Sequence, residues 1–395
     1  MYNIASKVKK HRLYGDFQKV KSRLAAHQFV CWIAGGAVRD FCLGREVIEF
    51  DLVTDASTEI LKKLFPEALL VGESFGVLKI PLANKEYFDL TTFRQESDYF
   101  DGRRPSHVSS ATPVKDSERR DFTINSLFWD DVRDIIVDYR GGLFDLAAKK
   151  LVCVGNPDIR FSEDYLRIIR LVRFSAQLKF EIESKTKEAA AKYISKTGQV
   201  SGERIWSELK KINEVGTWNF ALREDLFLAV LEEIFEIREI NIKTIPDAAT
   251  NIFLMIYLLE PSRDFTEIFK RRLRVSNLEL AEYNSIQFLV KSSDNLSVEE
   301  LAYEVEKNPL YAQQLANLVK SGIISDNVDQ RIRNILKLNC EPLVTTRELL
   351  DLIPNRHISE ELKLIRIGQF KKSYRTKREV FDYLKKKYAE KPENT

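Results

Sequence analysis

The sequence predicts an α+β protein in which an N-terminal part with a small mixed β-sheet precedes an all-helical remainder. Its 395 residues suffice for two or more domains, and a hydrophobic content of 44% supports substantial cores. Thirteen of the 15 glycines lie within residues 1–216, so turn-rich structure belongs to the N-terminal part. From residue 217 onward the apolar residues follow a helical pattern.

The N-terminal part centres on residues 33–54. A buried strand leads into Gly35 and Gly36, which let the backbone approach a bulky anion, and a short helix follows. Glu49 and Asp51 then share one face of a second strand, because side chains alternate between the two faces. Paired carboxylates are typical of divalent-cation sites that act on phosphates. Taken singly, the glycines indicate only a turn and the acids only a solvated strand edge.

The next segments predict further strands and a long loop. A strand over residues 87–94 carries Asp89, which is either a third carboxylate of the metal site or a strand acid that faces water. Residues 95–118 are polar and show little periodicity. A connection of this length is more often functional than a plain link, so we expect a functional loop here.

Residues 119–125 have the sequence Arg-Arg-Asp-Phe-Thr-Ile-Asn. Arg119 and Arg120 offer forked donors that suit phosphate oxygens. Asp121 and Asn125 offer a carboxylate and an amide that suit ribose hydroxyls. The alternative is an ordinary helix start in which Asp121 is only a cap.

Residues 161–174 predict a helix with Ser162 as its N-cap. Glu163, Arg167 and Arg170 share one face of that helix, and Asp164 lies three residues before Arg167. The alternative is a salt-bridged helix without a binding role.

Composition excludes several classes of protein. The net charge of +3 means that any nucleic-acid surface is a local patch. The four cysteines and four histidines show no zinc-ligand spacing. No apolar run approaches 18 residues and the N-terminus has no apolar leader, so we expect a cytoplasmic protein without membrane contact.

The motifs, in this order, resemble those of the class II tRNA nucleotidyltransferase and bacterial poly(A) polymerase family. The matching stretches are Gly-Gly-x-Val-Arg-Asp at 35–40, the acid pair with Leu-Val-Thr at 49–54, residues 119–125, Glu-Asp-x-x-Arg-x-x-Arg at 163–170, and residues 201–211. The resemblance covers residues 30–211. It implies a catalytic nucleotidyltransferase head over 1–146, a helical neck that recognises the base over 147–215, and a helical body and tail that bind tRNA over 216–395.

The resemblance also implies the reaction, which is addition of C, C and A to the tRNA 3′ end from CTP and ATP with release of pyrophosphate. Two Mg²⁺ ions are implied, held by Glu49 and Asp51, with Asp89 as a third catalytic acid. The nucleotide phosphates and ribose would contact Gly35, Gly36, Arg39, Arg119, Arg120, Asp121, Asn125, Arg170 and Arg173. The base edge would contact Asp164 and Arg167, and Glu163, Glu203 and Arg204 would stabilise the neck. No protein partner can be inferred.

Two alternatives stay open. Poly(A) polymerases of the family carry a basic segment where this chain has Gly-Glu-Ser-Phe-Gly at residues 72–76, which favours CCA addition over poly(A) synthesis or adenosine-only addition. Glu49 stands where the family usually has aspartate, so a catalytically impaired RNA-binding homologue is the second alternative.

Overall fold

A computed structural model of the chain describes residues 2–71, 77–83, 85–99, 105–214, 217–237, 240, 251–293, 295–338, 341–350 and 352–389. The chain divides into two compact units, Met1–Glu236 and Ile237–Thr395. The first unit contains the β-structure, and the second is helical.

A mixed sheet organises the first unit. Its first five strands in chain order are β1 (Trp32–Ala34), β2 (Asp51–Thr54), β3 (Leu69–Val71), β4 (Val77–Pro81) and β5 (Tyr87–Thr92). A separate hairpin follows β5, and two more strands of the sheet come after it. The hairpin consists of β6 (Arg94–Tyr99) and β7 (Pro105–Ser110), and the last two sheet strands are β8 (Leu127–Asp130) and β9 (Ile135–Asp138). Within the described residues the sheet has seven strands in the order β3-β4-β5-β2-β1-β8-β9. β2 and β5 pair in parallel and the other pairs are antiparallel.

Helices pack around this sheet and continue beyond it. In chain order they are α1 (Ala5–Lys9), α2 (Tyr14–Ala25), α3 (Gly36–Leu43), α4 (Thr58–Leu64), α5 (Pro113–Glu118), α6 (Gly142–Ala148), α7 (Pro157–Glu163), α8 (Leu166–Leu178), α9 (Ser184–Lys192), α10 (Gly202–Glu214), α11 (Trp218–Ala221) and α12 (Asp225–Phe235). A two-stranded ladder of β10 (Lys150–Leu151) and β11 (Glu181–Ile182) joins the start of α9 to the end of α6. Short 3₁₀ turns occupy Thr123–Asn125 and Ile194–Gln199.

The core lies between the sheet and the N-terminal helices. Alternation along β5 buries Phe88 and Leu90 in this core, while Tyr87 and Asp89 face outward. The opposite face is half-buried along β4 and β5 and exposed at Asp51, where β2 begins, and it carries the acids that the sequence singled out. A small mixed sheet followed by helices confirms the predicted fold class.

The second unit is built from helices in every described segment. They are α13 (Ile252–Leu259), α14 (Asn277–Ser293), α15 (Val298–Lys307), α16 (Pro309–Lys320), α17 (Asp326–Leu338), α18 (Thr346–Leu350), α19 (Ile358–Phe370) and α20 (Lys377–Ala389), with a π-helix at Ile268–Leu273 and a 3₁₀ turn at Asn355–His357. Among the described helices, none has the length and apolar character needed to cross a membrane.

Three local predictions of secondary structure were wrong. Residues 95–118, where the sequence predicts a loop, contain the β6–β7 hairpin and α5. Residues 161–174 are not one helix, because α7 ends at Glu163, and Asp164 adopts an extended conformation with φ −151° and ψ 104°. Asn156, and not Ser162, caps α7.

The helix break has a simple cause. The Asp164 carboxylate accepts a hydrogen bond of 3.1 Å from the backbone N–H of Leu166, so it satisfies a donor at the start of α8. The segment at 72–76 and residues 100–104 of the expected loop lie outside the described residues.

Candidate active site

The glycine pair forms the tight turn that the sequence predicted. Gly35 has φ +68° and ψ −125°, a conformation that side-chain-bearing residues rarely adopt. A Cβ at Gly35 would lie 3.0 Å from Nη1 of Arg120, so the turn also needs glycine to admit that guanidinium. Gly36 begins α3, whose N-terminus faces the same cavity. Unpaired N–H groups at a helix N-terminus favour phosphate.

Three carboxylates stand beside this turn. Glu49 and Asp51 are exposed on either side of the buried Phe50, so they point the same way. Asp51 pairs in register with Asp89 of the neighbouring parallel strand. We call Glu49, Asp51 and Asp89 the acid row.

The acid row accumulates negative charge. Desolvation by the walls of the cleft, followed by repulsion from Glu49, raises the pKa of Asp51 to about 6. The Lys79 ammonium donates a hydrogen bond of 2.7 Å to the Asp89 carboxylate and provides partial compensation. Sequence reasoning missed Lys79, which stands directly opposite Asp89 on β4.

The acid row suits a hard divalent cation. Its donors are carboxylate oxygens, which Mg²⁺ prefers, and their mutual repulsion would be relieved by a bound cation. In the part of the chain that the structure describes, no three His, Cys, Asp or Glu side chains are already gathered as a metal-ligand set. Because Asp89 pairs with Lys79 at 2.7 Å, it would have to exchange this lysine for the metal.

A buried carboxylate, Asp116, anchors the two predicted phosphate-binding arginines. Nε of Arg119 lies 2.8 Å from one Asp116 oxygen, and Nε of Arg120 lies 3.1 Å from the other. Burial favours the neutral acid, but Arg120 and Arg119 outweigh it and hold the pKa of Asp116 below its usual range. Sequence reasoning missed Asp116, although an acid three and four residues before two arginines is the signal for this anchor.

A second buried network joins the head to α8. Arg170 donates two hydrogen bonds, of 2.9 and 2.6 Å, to one oxygen of Asp121. The Asn125 amide donates a hydrogen bond of 3.0 Å to the other Asp121 oxygen, and its carbonyl oxygen accepts one of 2.7 Å from Arg39. Burial opposes the charge on Asp121, but Arg170 and the Asn125 hydrogen bond prevail and lower its pKa to about 2.

Glu208 of α10 lies beside two arginines of α8. Nε of Arg173 lies 2.6 Å from Glu208, and Nη1 of Arg170 lies 3.6 Å from it. Burial lowers the pKa of Arg173 to about 10, against the attraction of Glu208. The buried acid in this part of the neck is thus Glu208, whereas Glu203 is exposed in the first turn of α10.

The predicted base-reading pair lies on either side of the helix break. Arg204 reaches the two oxygens of Asp164 at 3.2 and 2.7 Å. The Arg167 guanidinium donates a hydrogen bond of 2.7 Å to Glu163, and it also donates hydrogen bonds to the backbone carbonyls of Arg160 and Arg119. The neck acids and arginines therefore hold the pair in fixed orientations, although Asp164 and Arg167 do not share one helix.

One cavity of about 720 Å³ brings these groups together. The turn glycines, the acid row, Arg39, Arg119, Arg120, Asp121, Asn125, Asp164, Arg167, Arg170, Arg173 and Arg204 line it. Glu163 and Glu203 are not among its lining residues. Residues as far apart in the chain as Gly35 and Arg204 thus meet in one cleft of the first unit.

Comparison with known proteins decides the family. Residues 31–152 match the family described as "Poly A polymerase head domain", and residues 179–224 match "Probable RNA and SrmB-binding site of polymerase A". A CCA-adding enzyme from Lactococcus lactis subsp. cremoris is 35% identical over 322 residues, which cover 78% of this chain and 76% of the relative. The chain belongs to the family of CCA-adding enzymes and poly(A) polymerases.

Solved structures of the family share the fold. The Bacillus stearothermophilus CCA-adding enzyme in complex with CTP aligns with a TM-score of 0.74 at 20% identity, covering 96% of this chain and 98% of that one. The Thermotoga maritima CCA-adding enzyme complexed with tRNA aligns with a TM-score of 0.69 at 17% identity, covering 97% of each chain. At these identities the likeness establishes the fold.

Proposed function

We propose that the protein is a CCA-adding tRNA nucleotidyltransferase, which transfers two cytidylates and one adenylate from CTP and ATP to the tRNA 3′-hydroxyl and releases pyrophosphate. One observation carries the proposal. A phosphate-binding turn, three carboxylates, an arginine cluster and a base-reading pair line one cavity in a chain that is 35% identical to a CCA-adding enzyme.

The triphosphate would lie between the glycine turn and the arginine cluster. Arg120 contacts the Gly35 turn and the backbone carbonyl of Asn125 at 3.0 Å, so its charge faces the anion-binding end of α3. Asp116 fixes Arg119 and Arg120 before substrate arrives, so little side-chain order is lost on binding. Arg39 and Arg170 orient Asn125 and Asp121, which would contact the ribose.

Glu49, Asp51 and Asp89 would hold the Mg²⁺ ions. When bound, these ions lower the pKa of the attacking 3′-hydroxyl and neutralise the pyrophosphate as it leaves. Asp51 must be ionised to take part, and its raised pKa places that change near pH 6 in the metal-free protein.

Selection between nucleotides would come from protein side chains. Cytosine and adenine both place an amino donor beside an unprotonated ring nitrogen. Asp164 accepts from the amino group and Arg167 donates to the ring nitrogen, whereas uracil and guanine present the reverse pattern. The bidentate contact with Arg204 keeps the carboxylate oriented for this task.

We assign residues 1–146 as the catalytic head, 147–215 as the neck, and 216–395 as the body and tail that bind tRNA. The basic, aromatic-containing stretch at 363–391 supports a phosphate-binding role in the tail. The reaction is expected in the cytoplasm.

The test is extension of a tRNA transcript that lacks its 3′ CCA, with Mg²⁺ and each nucleotide supplied separately. We expect addition of cytidines with CTP alone and completion only when ATP is also present. Adenosine addition without CTP would favour a poly(A) polymerase, and adenosine addition restricted to transcripts ending in CC would favour an adenosine-only enzyme. No addition under any condition would favour an RNA-binding homologue. The Asp51→Ala variant, which should be inactive, controls for contaminating activity.

A further inference from the structure

A second cavity, of about 280 Å³, adjoins the acid row. Ile48, Glu49, Asp51 and Asp89 line both this cavity and the cavity of about 720 Å³, which we call the nucleotide cleft. The remaining lining of the second cavity is formed largely by apolar and aromatic side chains, among them Leu82 and Tyr87. We call it the row-side cavity.

Strand register places the two cavities on opposite sides of the acid row. Thr91 lies two residues after Asp89 on the same open face of β5, and it lines the nucleotide cleft. Tyr87 lies two residues before Asp89 on that face, and it lines the row-side cavity. The same division holds on β4, where Val77 lines the nucleotide cleft and Lys79 lines the row-side cavity.

The proposed reaction needs two substrate positions in this arrangement. The groups suited to triphosphate, ribose and base all line the nucleotide cleft. In a phosphoryl-type transfer the attacking oxygen and the leaving group lie roughly in line, on opposite sides of the phosphorus. If the nucleotide occupies its cleft with the reacting phosphate at the acid row, the attacking hydroxyl comes from the other side of the row.

We propose that the row-side cavity receives the 3′-terminal nucleoside of the acceptor RNA and that Tyr87 is its stacking platform. This inference rests on the proposed function. It adds a positioning residue for the RNA end, outside the motifs that the sequence singled out.

The lining fits a nucleoside better than a free anion. Tyr87 is 44% exposed and Ile48 is 73% exposed, so each presents apolar surface to an incoming base. Among the described lining residues, Glu49, Asp51, Glu86 and Asp89 are acidic and Lys79 is basic, and Arg12 beside the cavity pairs with Glu86 at 2.6 Å, so acids still exceed cations by four to two. Inorganic phosphate would be repelled by that excess of negative charge, whereas a stacked base with its ribose hydroxyl toward the acid row would not.

The experiment measures single cytidine addition to a short acceptor-stem hairpin, so that contacts elsewhere on tRNA do not mask those of its end. Tyr87→Ala should raise the KM for the hairpin roughly ten- to a hundredfold, since it removes one base–aromatic stack. The KM for CTP should stay unchanged, because CTP binds in the other cavity. Tyr87→Phe keeps the ring and should behave like the wild type.

The matched control is Phe144→Ala, which removes an aromatic side chain that is 78% exposed on α6 and lines neither cavity. It should leave both KM values unchanged. An unchanged hairpin KM in Tyr87→Ala, with active wild type, would overturn the stacking role and leave the proposed function standing. Equal rises in the KM for CTP and for the hairpin would also overturn it, since Tyr87 would then act on the acid row as a whole. Failure of the wild type to extend the hairpin or the transcript would overturn both proposals.

Discussion

Replacing Asp164 with alanine tests the base-reading assignment. Among the described residues, the Asp164 carboxylate accepts two hydrogen bonds from Arg204 and one from the Leu166 N–H. A carboxylate has about four lone-pair sites, so one site remains for the exocyclic amino group of a base. Asp164→Ala removes that acceptor.

The size of the effect follows from the cost of an unmade hydrogen bond. Leaving one buried donor unpaired costs roughly 1–3 kcal/mol, which predicts a five- to 150-fold loss of kcat/KM for CTP. Uracil gains nothing from the carboxylate, because its carbonyl oxygen faces it. The preference for CTP over UTP should therefore shrink by a similar factor.

The assay is single-nucleotide extension of the truncated tRNA with each of the four nucleotides in turn. Asp158→Ala is the matched control, since it removes one charge from the adjacent helix, where Asp158 pairs with Lys192 at the surface. That variant should keep the wild-type preference. If Asp164→Ala loses activity equally with all four nucleotides, Asp164 is a structural acid for Arg204 and the base-reading assignment is refuted.

Other substitutions probe the turn, the buried network and the acid row. Gly35→Ala should weaken CTP binding about tenfold or more, measured by equilibrium dialysis, because alanine at φ +68° costs roughly 1–3 kcal/mol and its Cβ meets Arg120. Asp121→Asn should lower the free energy of unfolding by roughly 3 kcal/mol in denaturant titrations, because it removes the buried carboxylate that pairs with the half-buried Arg170. Because the pKa of Asp121 is lowered, its carboxylate stabilises the folded state above the unfolded-state pKa, and this stabilisation is lost as pH falls through about 2. The difference in the free energy of unfolding between wild type and Asp121→Asn should therefore shrink in acid. Asp51→Asn should act in the opposite sense, because the raised pKa of Asp51 makes its ionised form destabilise the folded state above about pH 6. At pH 7.5 without divalent ions, the variant should therefore melt at or slightly above the wild-type temperature. After solvent screening, its gain in the free energy of unfolding should be at most about 1 kcal/mol. Mg²⁺ should then raise the melting temperature of the wild type and not that of Asp51→Asn, and equal shifts would contradict the metal assignment.

Sequence reasoning singled out most of the polar residues that line the large cavity, because each motif carries its chemistry within a few positions. Gly35 and Gly36, the acid pair, and the Arg-Arg-Asp run at 119–121 each predict a local structure with a local cause. The apolar alternation around Asp89 predicts an exposed acid on a half-buried strand, and β5 has that pattern.

Long-range partners were beyond the reach of that reasoning. Glu208 meets Arg173, and Lys79 meets Asp89, through packing of separate elements, and neither pair has a spacing that marks it in the sequence. The β6–β7 hairpin was missed because its strands are polar and lack the apolar alternation that identifies a strand.

The helix break at Asp164 shows how a correct motif can be given the wrong geometry. Glu163 and Arg167 are four residues apart and do form an ion pair of 2.7 Å, as a continuous helix would predict. The side chain of Asp164 instead bonds the backbone and Arg204, which ends one helix and starts the next. Competition between a side chain and the helix backbone decides such boundaries, and periodicity does not report it.

The most direct test of the proposed function is sequencing of the 3′ ends that the protein makes. A tRNA transcript without CCA is incubated with the protein, Mg²⁺ and all four nucleotides, and the products are ligated to an adapter and read. We predict ends that carry C, C and A in that order with no further addition, and none with Asp51→Ala. Oligo(A) tails, or tails of mixed sequence, would contradict the claim that this cleft selects cytidine and adenosine and stops after three residues.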